Sequence, residues 1–394
     1  MKVSRVVQAI PPSGIRRFFD LVTQMEDVIS LGVGEPDFVT PWHIREAAIY
    51  ALERGDTHYT SNAGLPELRE QIARYLDSRF GLEYSPAGEV LVTVGVSEAL
   101  DLTLRATLDP GDEVLLVEPC YVSYEPCVRF AGGRPVVVSA RAEAAFRPQA
   151  DALAAAVTPR TRALLLCYPN NPTGAAPSPV EMARIAELAV ERDLLVISDE
   201  IYAELSYERP HRSLAAFPGM AERTVVLNGF SKAYAMTGWR LAYAAGPSEL
   251  IGAMTKVHQY TMLCAPVSSQ RAAIEALRAG EDEVRRMVRE YDDRRRFFVA
   301  GLNDLGLPTA LPDGAFYAFS DIRGTGLSSE AFAEALLAEE QVAVVPGNAF
   351  GPSGEGYVRC AYATDAARLR EALTRMRRFV RARSRPQAAP ARRT

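Results

Sequence analysis

The sequence TVVLNGFSKAYAMTGWR, at residues 224–240, joins a buried strand to a loop that carries two basic residues. Its first part, the apolar run Thr224–Leu227, is typical of a strand that is covered on both faces. Lys232 and Arg240 follow that strand, with small and aromatic residues between them. A lysine or an arginine taken alone is usually a solvated surface group. The meaning of this pair therefore depends on the rest of the chain.

Short apolar runs alternate with helical patterns along the chain from about residue 90 onward. Besides Thr224–Leu227, the runs are Val90–Val94, Glu113–Val117, Pro135–Val138, Ala163–Cys167, Leu194–Ile197 and Leu241–Ala245. The clearest helix spans residues 178–192, with Ser178 as N-cap, Pro179 at the first helical position and Glu181 completing a capping box. This alternation predicts an α/β fold with a mostly parallel sheet and helices on both faces.

The pattern changes after about residue 285, and this change sets the predicted domain boundaries. A charged helical stretch at 282–305 is followed by the segment AFYAFSD, a helix near 329–340, a strand at 357–363 and a final helix near 365–380. That mixture predicts a smaller α+β domain. The predicted parts are an N-terminal arm with part of the small domain at 1–40, a large domain at 41–285, a small domain at 286–383 and a disordered tail at 384–394.

The composition is that of a soluble globular protein, with 48% apolar and 24% charged residues and a net charge of −5 over 394 residues. Nothing in it indicates a surface for nucleic acid or for a membrane. The five cysteines are scattered and form no CxxC pair, so we expect neither a disulfide framework nor a metal site. These thiols, and an N-terminus without an apolar signal segment, favour the cytoplasm.

Polar residues and glycines follow four of the predicted strands at the point where each strand ends. They are Gly95, the loop Asn170–Gly174, the acid Asp199 and Lys232. Each has an ordinary explanation when taken alone, as a tight turn, a plain loop, a helix cap or a surface lysine. Because the carboxyl ends of parallel strands meet at one edge of a sheet, we expect these residues to lie together. A lysine for a Schiff base, an acid for a pyridine nitrogen and a helix start for a phosphate are what pyridoxal phosphate (PLP) needs.

The segments that contain these residues resemble the fold-type I PLP-dependent enzymes, and within them the class I aminotransferases of the aspartate-aminotransferase superfamily. The resemblance runs from about Ser4 to Val380. It rests on LGVGEPDF (31–38), HYTSNAGLPELR (58–69), NNPTGA (170–175), SDEIYAEL (198–205), SKAYAMTGWR (231–240), AFYAF (315–319) and YVRCAYAT (357–364). It implies transfer of the amino group of an L-α-amino acid, of the aspartate, alanine or aromatic type, to a 2-oxo acid such as 2-oxoglutarate.

The resemblance also implies roles for the residues around the cofactor ring. Lys232 would bind PLP covalently and, once displaced by the amino substrate, would act as the base that moves the Cα proton. Asp199 would pair with the pyridine nitrogen and keep it protonated. Tyr202 and Asn171 would hydrogen-bond the 3′ oxygen of the ring, and Tyr121 would stack on the ring face.

At the phosphate end, the resemblance implies a cup made by Arg240, Ser231 and the backbone N–H groups of Val96 and Ser97. In the family, a tyrosine at the position of Tyr59 reaches the phosphate of the neighbouring subunit. This implies a homodimer in which the active sites are shared between the two chains.

At the substrate end, the resemblance implies that Arg359 binds the α-carboxylate, because a planar guanidinium matches a carboxylate with two parallel hydrogen bonds. Asn171 would also contact the substrate, and Gly34 would let the backbone approach it closely.

The sequence departs from the family pattern at three positions. Gly229 stands where many relatives have a phosphate-binding serine, and Ser231 or the backbone is then expected to compensate. Tyr121 replaces the tryptophan or phenylalanine often found at the stacking position. Ser97 stands where some aspartate-selective relatives have a lysine that binds the side-chain carboxylate of the substrate. This difference weakens the hypothesis that aspartate is the only amino donor.

Three other functions are compatible with the same residues. A carbon–sulfur β-lyase or an aminocyclopropane-carboxylate-synthase-like enzyme would share the cofactor and the fold, and the fold does not decide between them. A PLP-sensing transcription regulator would need an N-terminal helix-turn-helix domain, whereas only about 40 residues, which are not basic, precede the large domain.

Overall fold

The computed structural model describes residues 2–11 and 27–383. The predicted disordered tail at 384–394 and residues 12–26 of the predicted N-terminal arm lie outside the described residues. The strands of the described part are β1 (Ile29–Ser30), β2 (Val90–Thr93), β3 (Glu113–Glu118), β4 (Arg134–Ser139), β5 (Thr161–Cys167), β6 (Leu195–Asp199), β7 (Thr224–Gly229), β8 (Ala242–Ala245), β9 (Tyr317–Asp321), β10 (Val342–Ala343), β11 (Val345–Pro346) and β12 (Tyr357–Ala361). Its α-helices are α1 (Arg5–Ala9), α2 (Trp42–Glu53), α3 (Pro66–Phe80), α4 (Val96–Thr107), α5 (Tyr124–Phe130), α6 (Ala150–Ala156), α7 (Pro179–Glu191), α8 (Ser248–Thr261), α9 (Val267–Ala279), α10 (Glu281–Asp304), α11 (Ser329–Glu340) and α12 (Ala366–Arg383).

Seven of these strands form the central sheet, in the order β2-β8-β7-β6-β5-β3-β4. The neighbours β7, β6, β5, β3 and β4 pair in parallel, and β8 is antiparallel to both β7 and β2. Every strand of the central sheet except β8 therefore points in the same direction. The predicted α/β fold with a mostly parallel sheet is confirmed.

Both faces of the central sheet are buried, which explains why its strands are continuous apolar runs. In β5, Ala163 and Leu165 belong to one apolar cluster, whereas Leu164 and Leu166 belong to another. Successive side chains of a strand point to opposite faces, so the two clusters lie on the two sides of the sheet. A strand with only one buried face would have shown polar residues at every second position.

Helix α7 follows its predicted start, with one correction. Ser178 is the N-cap, its hydroxyl accepts a hydrogen bond from the Glu181 N–H (3.2 Å), and Pro179 is the first helical residue. The predicted capping box is wrong in its second half, because the Glu181 carboxylate accepts the backbone N–H of Ala150 (2.5 Å) at the start of α6. The carboxylate thus caps a neighbouring helix, which a local sequence pattern cannot reveal.

The C-terminal part forms a smaller, three-stranded antiparallel sheet in the order β11-β12-β9. The predicted strand at 357–363 ends at Ala361, where its ladder with β9 ends opposite Tyr317. Near the other end of the chain, β1 pairs in parallel with β10. This pairing joins a segment near the N-terminus to the C-terminal part of the chain, and the domain organisation stays a prediction.

All five cysteines are free thiols. Among the described residues, no group of three or more His, Cys, Asp or Glu side chains could hold a metal ion. In residues 2–11 and 27–383, no helix has both the length and the apolar character needed to cross a membrane.

Candidate active site

A cavity of about 660 Å³ lies at the edge of the central sheet where the parallel strands end. Strand β7 leads to Lys232, β6 ends at Asp199, β5 leads to Asn171 and β3 leads to Tyr121. All predicted site residues except Tyr59 line this cavity, namely Gly34, Val96, Ser97, Tyr121, Asn171, Asp199, Tyr202, Ser231, Lys232, Arg240 and Arg359. The structure therefore brings together residues that span most of the chain.

Lys232 projects into the cavity from the loop after β7. Its Nζ donates a hydrogen bond to the backbone oxygen of Gly34 (2.5 Å). Burial lowers the pKa of Lys232 to about 8, the positive charges of Arg359 and Arg240 act in the same direction, and Glu35 opposes them. An amine with this pKa is unprotonated far more often near neutral pH than an ordinary lysine, as a nucleophile and a base require.

The loop that carries Lys232 is held in a strained backbone conformation. Ala235 (φ 52°) and Arg240 (φ 50°) both occupy the left-handed region. For residues other than glycine, this conformation costs on the order of 1–3 kcal/mol each, and it persists only where the surroundings enforce it. Here the Ala235 carbonyl accepts a bond from the Thr40 hydroxyl (2.6 Å), and the Arg240 guanidinium bonds to the Thr237 carbonyl (3.1 Å).

Asp199 is a buried carboxylate at the end of β6. It accepts hydrogen bonds from the Tyr124 hydroxyl (2.7 Å) and from the Ile201 N–H (3.2 Å). Burial raises the pKa of Asp199 to about 6, although these two hydrogen bonds oppose the rise. A buried acid of this kind gains from a cationic partner, which would restore its ionised form.

The adjacent acid, Glu200, does not line the cavity, and both of its carboxylate oxygens are hydrogen-bonded. Its carboxylate accepts bonds from Ser198 (2.7 Å), Ser213 (2.6 Å) and His211 (2.9 Å). Burial alone would raise the pKa of Glu200, but His211 and the two hydroxyls outweigh it and the pKa is lowered. Of the two neighbouring acids, only Asp199 is therefore available to a ligand.

The end of the cavity that is predicted to hold the phosphate is formed by the start of α4 and by Arg240. Gly95, with φ 87°, is the N-cap of α4. The first N–H groups of this helix have no hydrogen-bond partner within the helix. A Cβ on Gly95 would overlap the Arg240 guanidinium, which lies directly against it. Helix N–H groups together with a guanidinium form a strong anion site.

The departure at Gly229 has a steric explanation. A Cβ added to Gly229 would lie 2.6 Å from the Cβ of Ala242 on the neighbouring strand β8. A serine would therefore force these two strands apart. Ser231, which is buried and lines the cavity, is the hydroxyl that remains beside Lys232.

Arg359, the predicted ligand of the substrate carboxylate, lines the cavity from the central strand of the smaller sheet. Its side chain is only 2% exposed and lies between the rings of Tyr317 (4.5 Å) and Phe350 (4.9 Å). It donates to the Asn171 side-chain oxygen (3.0 Å) and to the Gly32 carbonyl (2.5 Å), whereas its buried Nε has no partner among residues 2–11 and 27–383. A buried guanidinium without a carboxylate is poised to bind one.

Several residues of the cavity were not predicted. Tyr317 lies in the motif AFYAF, and its hydroxyl bonds to the Tyr202 hydroxyl (2.8 Å). A Cβ on Gly34 would lie 2.9 Å from this Tyr317 hydroxyl, so the close approach there requires glycine. Tyr124, three residues after Tyr121, donates to Asp199. The other unpredicted lining residues are Glu35, Leu100, Val122, Ser123, Cys127, Cys167, Ile201 and Thr237.

Tyr59 is the predicted site residue that the structure does not bring to the cavity of its own chain. It is 84% exposed and does not line the cavity. A contribution from Tyr59 to an active site would have to be made to another chain, which stays a prediction.

The cavity fits PLP on three observations that are independent of one another. The Arg240 guanidinium lies against Gly95 at the start of α4, so a positive charge meets N–H groups without helical partners, as expected of a site for a compact anion. Asp199 is a buried acid that forms no ion pair with another described residue, and Lys232 is an amine whose pKa is lowered. These residues would hold, in this order, the phosphate, the pyridine nitrogen and the aldehyde carbon of PLP.

Comparison with known proteins agrees with this geometry. The family model for aminotransferase class I and II matches residues 26–376. The chain is 57% identical to YugH of Bacillus subtilis, over 96% of this chain and 98% of that protein. It is 48% identical to the aspartate aminotransferase of Pyrococcus abyssi, over 97% and 99% of the two chains. It is similar in structure to an aromatic aminotransferase of Pyrococcus horikoshii, with a TM-score of 0.89 and 48% identity, over 93% and 99% of the chains.

Proposed function

The chain belongs to the class I and II aminotransferases, which depend on PLP, and from this premise we propose that it moves the amino group of an L-α-amino acid to a 2-oxo acid such as 2-oxoglutarate. The observation that carries the proposal is the juxtaposition, in one cavity, of Lys232, Asp199 and a buried Arg359 with an unpaired Nε. Amino acids and 2-oxo acids share the α-carboxylate that Arg359 would bind, so one site can serve both substrates.

When bound, PLP supplies an electron-poor ring that stabilises the negative charge left at the substrate Cα when its proton is removed. The residues of the chain do the rest. Lys232 would take the proton from the substrate Cα, which its lowered pKa would make possible near neutral pH. Asp199, held by Tyr124, keeps the pyridine nitrogen protonated. Arg359 orients the α-carboxylate and so fixes which bond at Cα is broken.

The amino donor is proposed as aspartate, alanine or an aromatic amino acid. Relatives at the same 48% identity are named for aspartate and for aromatic amino acids, so their names favour neither donor. Within the described part of the chain, the cationic side chains that line the cavity are Lys232, Arg240 and Arg359. Each already has a proposed role, and Ser97 stands where a lysine would add a fourth positive charge.

A panel of amino acids assayed with 2-oxoglutarate and with pyruvate tests the reaction class and the donor together. We expect equimolar formation of a new amino acid and a new 2-oxo acid, without release of ammonia. Ammonia and pyruvate formed from a substrate with a β leaving group, in the absence of an acceptor, would instead indicate a β-lyase.

The lowered pKa of Lys232 predicts a pH dependence for cofactor attachment. Only the unprotonated amine attacks an aldehyde, so the attachment rate of the apoenzyme should rise with pH and level off above about pH 8. Stopped-flow absorbance after mixing apoenzyme with PLP measures this rate. Nα-acetyl-lysine serves as the control. Its side-chain amine has an ordinary pKa of about 10.4, so its attachment rate should keep rising with pH up to that value. A rate for the protein that follows the control would contradict the lowered pKa.

We also propose a homodimer with shared active sites, in which Tyr59 serves the cofactor of the partner subunit. Two-fold symmetry then gives two sites, each with Lys232 from one chain and Tyr59 from the other. A mixed dimer of a Lys232→Ala chain and a Tyr59→Ala chain has both lesions in one site and an intact second site. Differentially tagged, co-expressed and purified mixed dimers should therefore reach up to about half of the wild-type activity at limiting PLP, by the same symmetry argument.

The two parent dimers are the controls for this experiment. Neither should match the mixed dimer at limiting PLP, because each carries one lesion in both of its sites. If the mixed dimer shows only the mean of the two parents, Tyr59 acts within its own chain or not at all.

A further inference from the structure

Residues 32–38, called here the 32–38 segment, supply the backbone carbonyls that orient the two key cations of the cavity. The Gly32 carbonyl accepts a hydrogen bond from Nη2 of Arg359, and the Gly34 carbonyl accepts one from Nζ of Lys232, both at 2.5 Å. Gly34 also lies against the Tyr317 hydroxyl, with no room for a side chain. A small displacement of this segment would therefore move the carboxylate-binding arginine and the lysine together.

The far end of the 32–38 segment is clamped to helix α10. Nη1 of Arg294 donates to both carboxylate oxygens of Asp37 (2.9 and 2.8 Å), and the Tyr291 hydroxyl donates to the same carboxylate (3.3 Å). The ring of Phe38 packs edge-on against Tyr291, with centroids 5.4 Å apart, and the Arg294 guanidinium lies 5.4 Å from the Phe38 ring. Two consecutive residues of the segment are thus held by one turn of α10.

This clamp differs from an ordinary surface ion pair. The Arg294 side chain is only 8% exposed and its Nε also donates to Glu290 (3.1 Å). Exposed pairs contribute little because water and salt screen them, whereas a pair that is mostly buried is geometrically fixed and costly to break. Asp37 lies in a loop, outside the helices and strands, so its side-chain contacts with Arg294 and Tyr291 are what tie this part of the segment to α10.

We propose that Arg294 is a positioning residue which, through Asp37, holds the 32–38 segment where its carbonyls orient Arg359 and Lys232 for the α-carboxylate and the Cα of the substrate. The inference rests on the role proposed above for Arg359. Arg294 itself does not line the cavity, so the residues of the cavity alone do not show that substrate binding depends on it.

The next residue in the chain provides a matched control. Arg295 is fully buried and equally well partnered, by Asp292 (2.5 Å), Glu208 (2.7 Å) and the Pro312 carbonyl (2.5 Å). None of these partners belongs to the 32–38 segment. Arg294→Gln and Arg295→Gln therefore both remove a buried charge from α10, but only Arg294→Gln releases the segment.

We expect Arg294→Gln to lower kcat/KM by about 10- to 100-fold, mainly through a higher KM, as misplacement of a binding group by about 1 Å does. Arg295→Gln should reduce the melting temperature comparably but leave KM near the wild-type value. Calorimetric titration of the PLP-loaded enzyme with 2-oxoglutarate, which has no amino group and cannot react with this form, provides a readout independent of turnover. Its dissociation constant should rise for Arg294→Gln and stay unchanged for Arg295→Gln.

Two further variants separate positioning from folding. Arg294→Lys keeps the charge and should recover part of the lost affinity, and it serves in place of Arg294→Gln if that variant does not fold. Asp37→Asn should reproduce the Arg294→Gln defect, and the double variant should be little worse than either single one, because both remove the same clamp.

Equal increases in KM for Arg294→Gln and Arg295→Gln, or additive effects of Asp37→Asn and Arg294→Gln, would overturn the positioning role. The variant Arg359→Ala tests the proposed role of Arg359 separately from the positioning role of Arg294. If Arg359→Ala weakens 2-oxoglutarate binding but Arg294→Gln does not, only the positioning inference fails. If Arg359→Ala has no effect on binding, the proposed role of Arg359 fails first.

Discussion

Lys232→Ala is expected to abolish measurable transamination while leaving the fold intact. Proton transfer by a positioned side chain alone accounts for about 10²- to 10⁴-fold in rate, and the variant also loses the covalent attachment of the cofactor. Among the described residues that line the cavity, no other side chain is an amine that could replace it. Initial rates with the best donor from the amino acid panel, together with the absorbance of the bound cofactor, measure both losses.

The chain offers a matched control for this substitution. Its lysines are Lys2, Lys232 and Lys256, and Lys256 lies on the exposed side of α8. Lys256→Ala should therefore keep both the absorbance and the rate of the wild type. Turnover by Lys232→Ala within a few-fold of the wild-type rate would show that another group moves the proton.

Arg359→Ala is expected to raise KM for every amino acid and every 2-oxo acid, because the α-carboxylate is common to all of them. Removing one member of a buried, hydrogen-bonded charge pair costs about 2–5 kcal/mol, and we expect a loss of that order in kcat/KM. In the free enzyme, the vacant Nε of Arg359 and its bonds to Asn171 and Gly32 indicate a guanidinium already oriented for this task.

Arg359→Lys is the corresponding conservative variant. It should recover only part of the loss, since a point charge cannot reproduce two parallel hydrogen bonds. Steady-state kinetics with one acidic, one aromatic and one small aliphatic donor measures both variants. An effect confined to one class of side chain would mean that Arg359 binds the side chain of the substrate and not its α-carboxylate.

The sheet was predictable from sequence because its strands are buried on both faces. Continuous apolar runs such as Ala163–Cys167 leave little room for another interpretation, and the residues at their carboxyl ends converge by topology alone. The sequence alone therefore predicts that Lys232, Asp199 and Asn171 lie in one site. Arg359 was placed only through the family resemblance, because nothing local distinguishes it from a surface arginine.

What the sequence did not reveal depends on contacts between distant elements. Tyr124 orients Asp199 across 75 positions of the chain, and Glu181 caps a helix that begins 31 residues earlier. The clamp between Asp37 and Arg294 spans 257 positions. Such pairs have no spacing rule, since their distance is set by how whole helices pack. Tyr317 lies within a recognised motif, but its contacts with Gly34 and Tyr202 join segments that are far apart in the chain.

We propose that Lys232 carries the cofactor. Borohydride reduction of the PLP-loaded enzyme, followed by proteolysis and mass spectrometry, tests it most directly, because the reduction makes the attachment permanent. With only three lysines in the chain, every outcome is unambiguous. We predict one phosphopyridoxyl group per chain, on the peptide that contains Lys232. A label on Lys256 or Lys2, or no labelled lysine in an active preparation, would contradict the assignment.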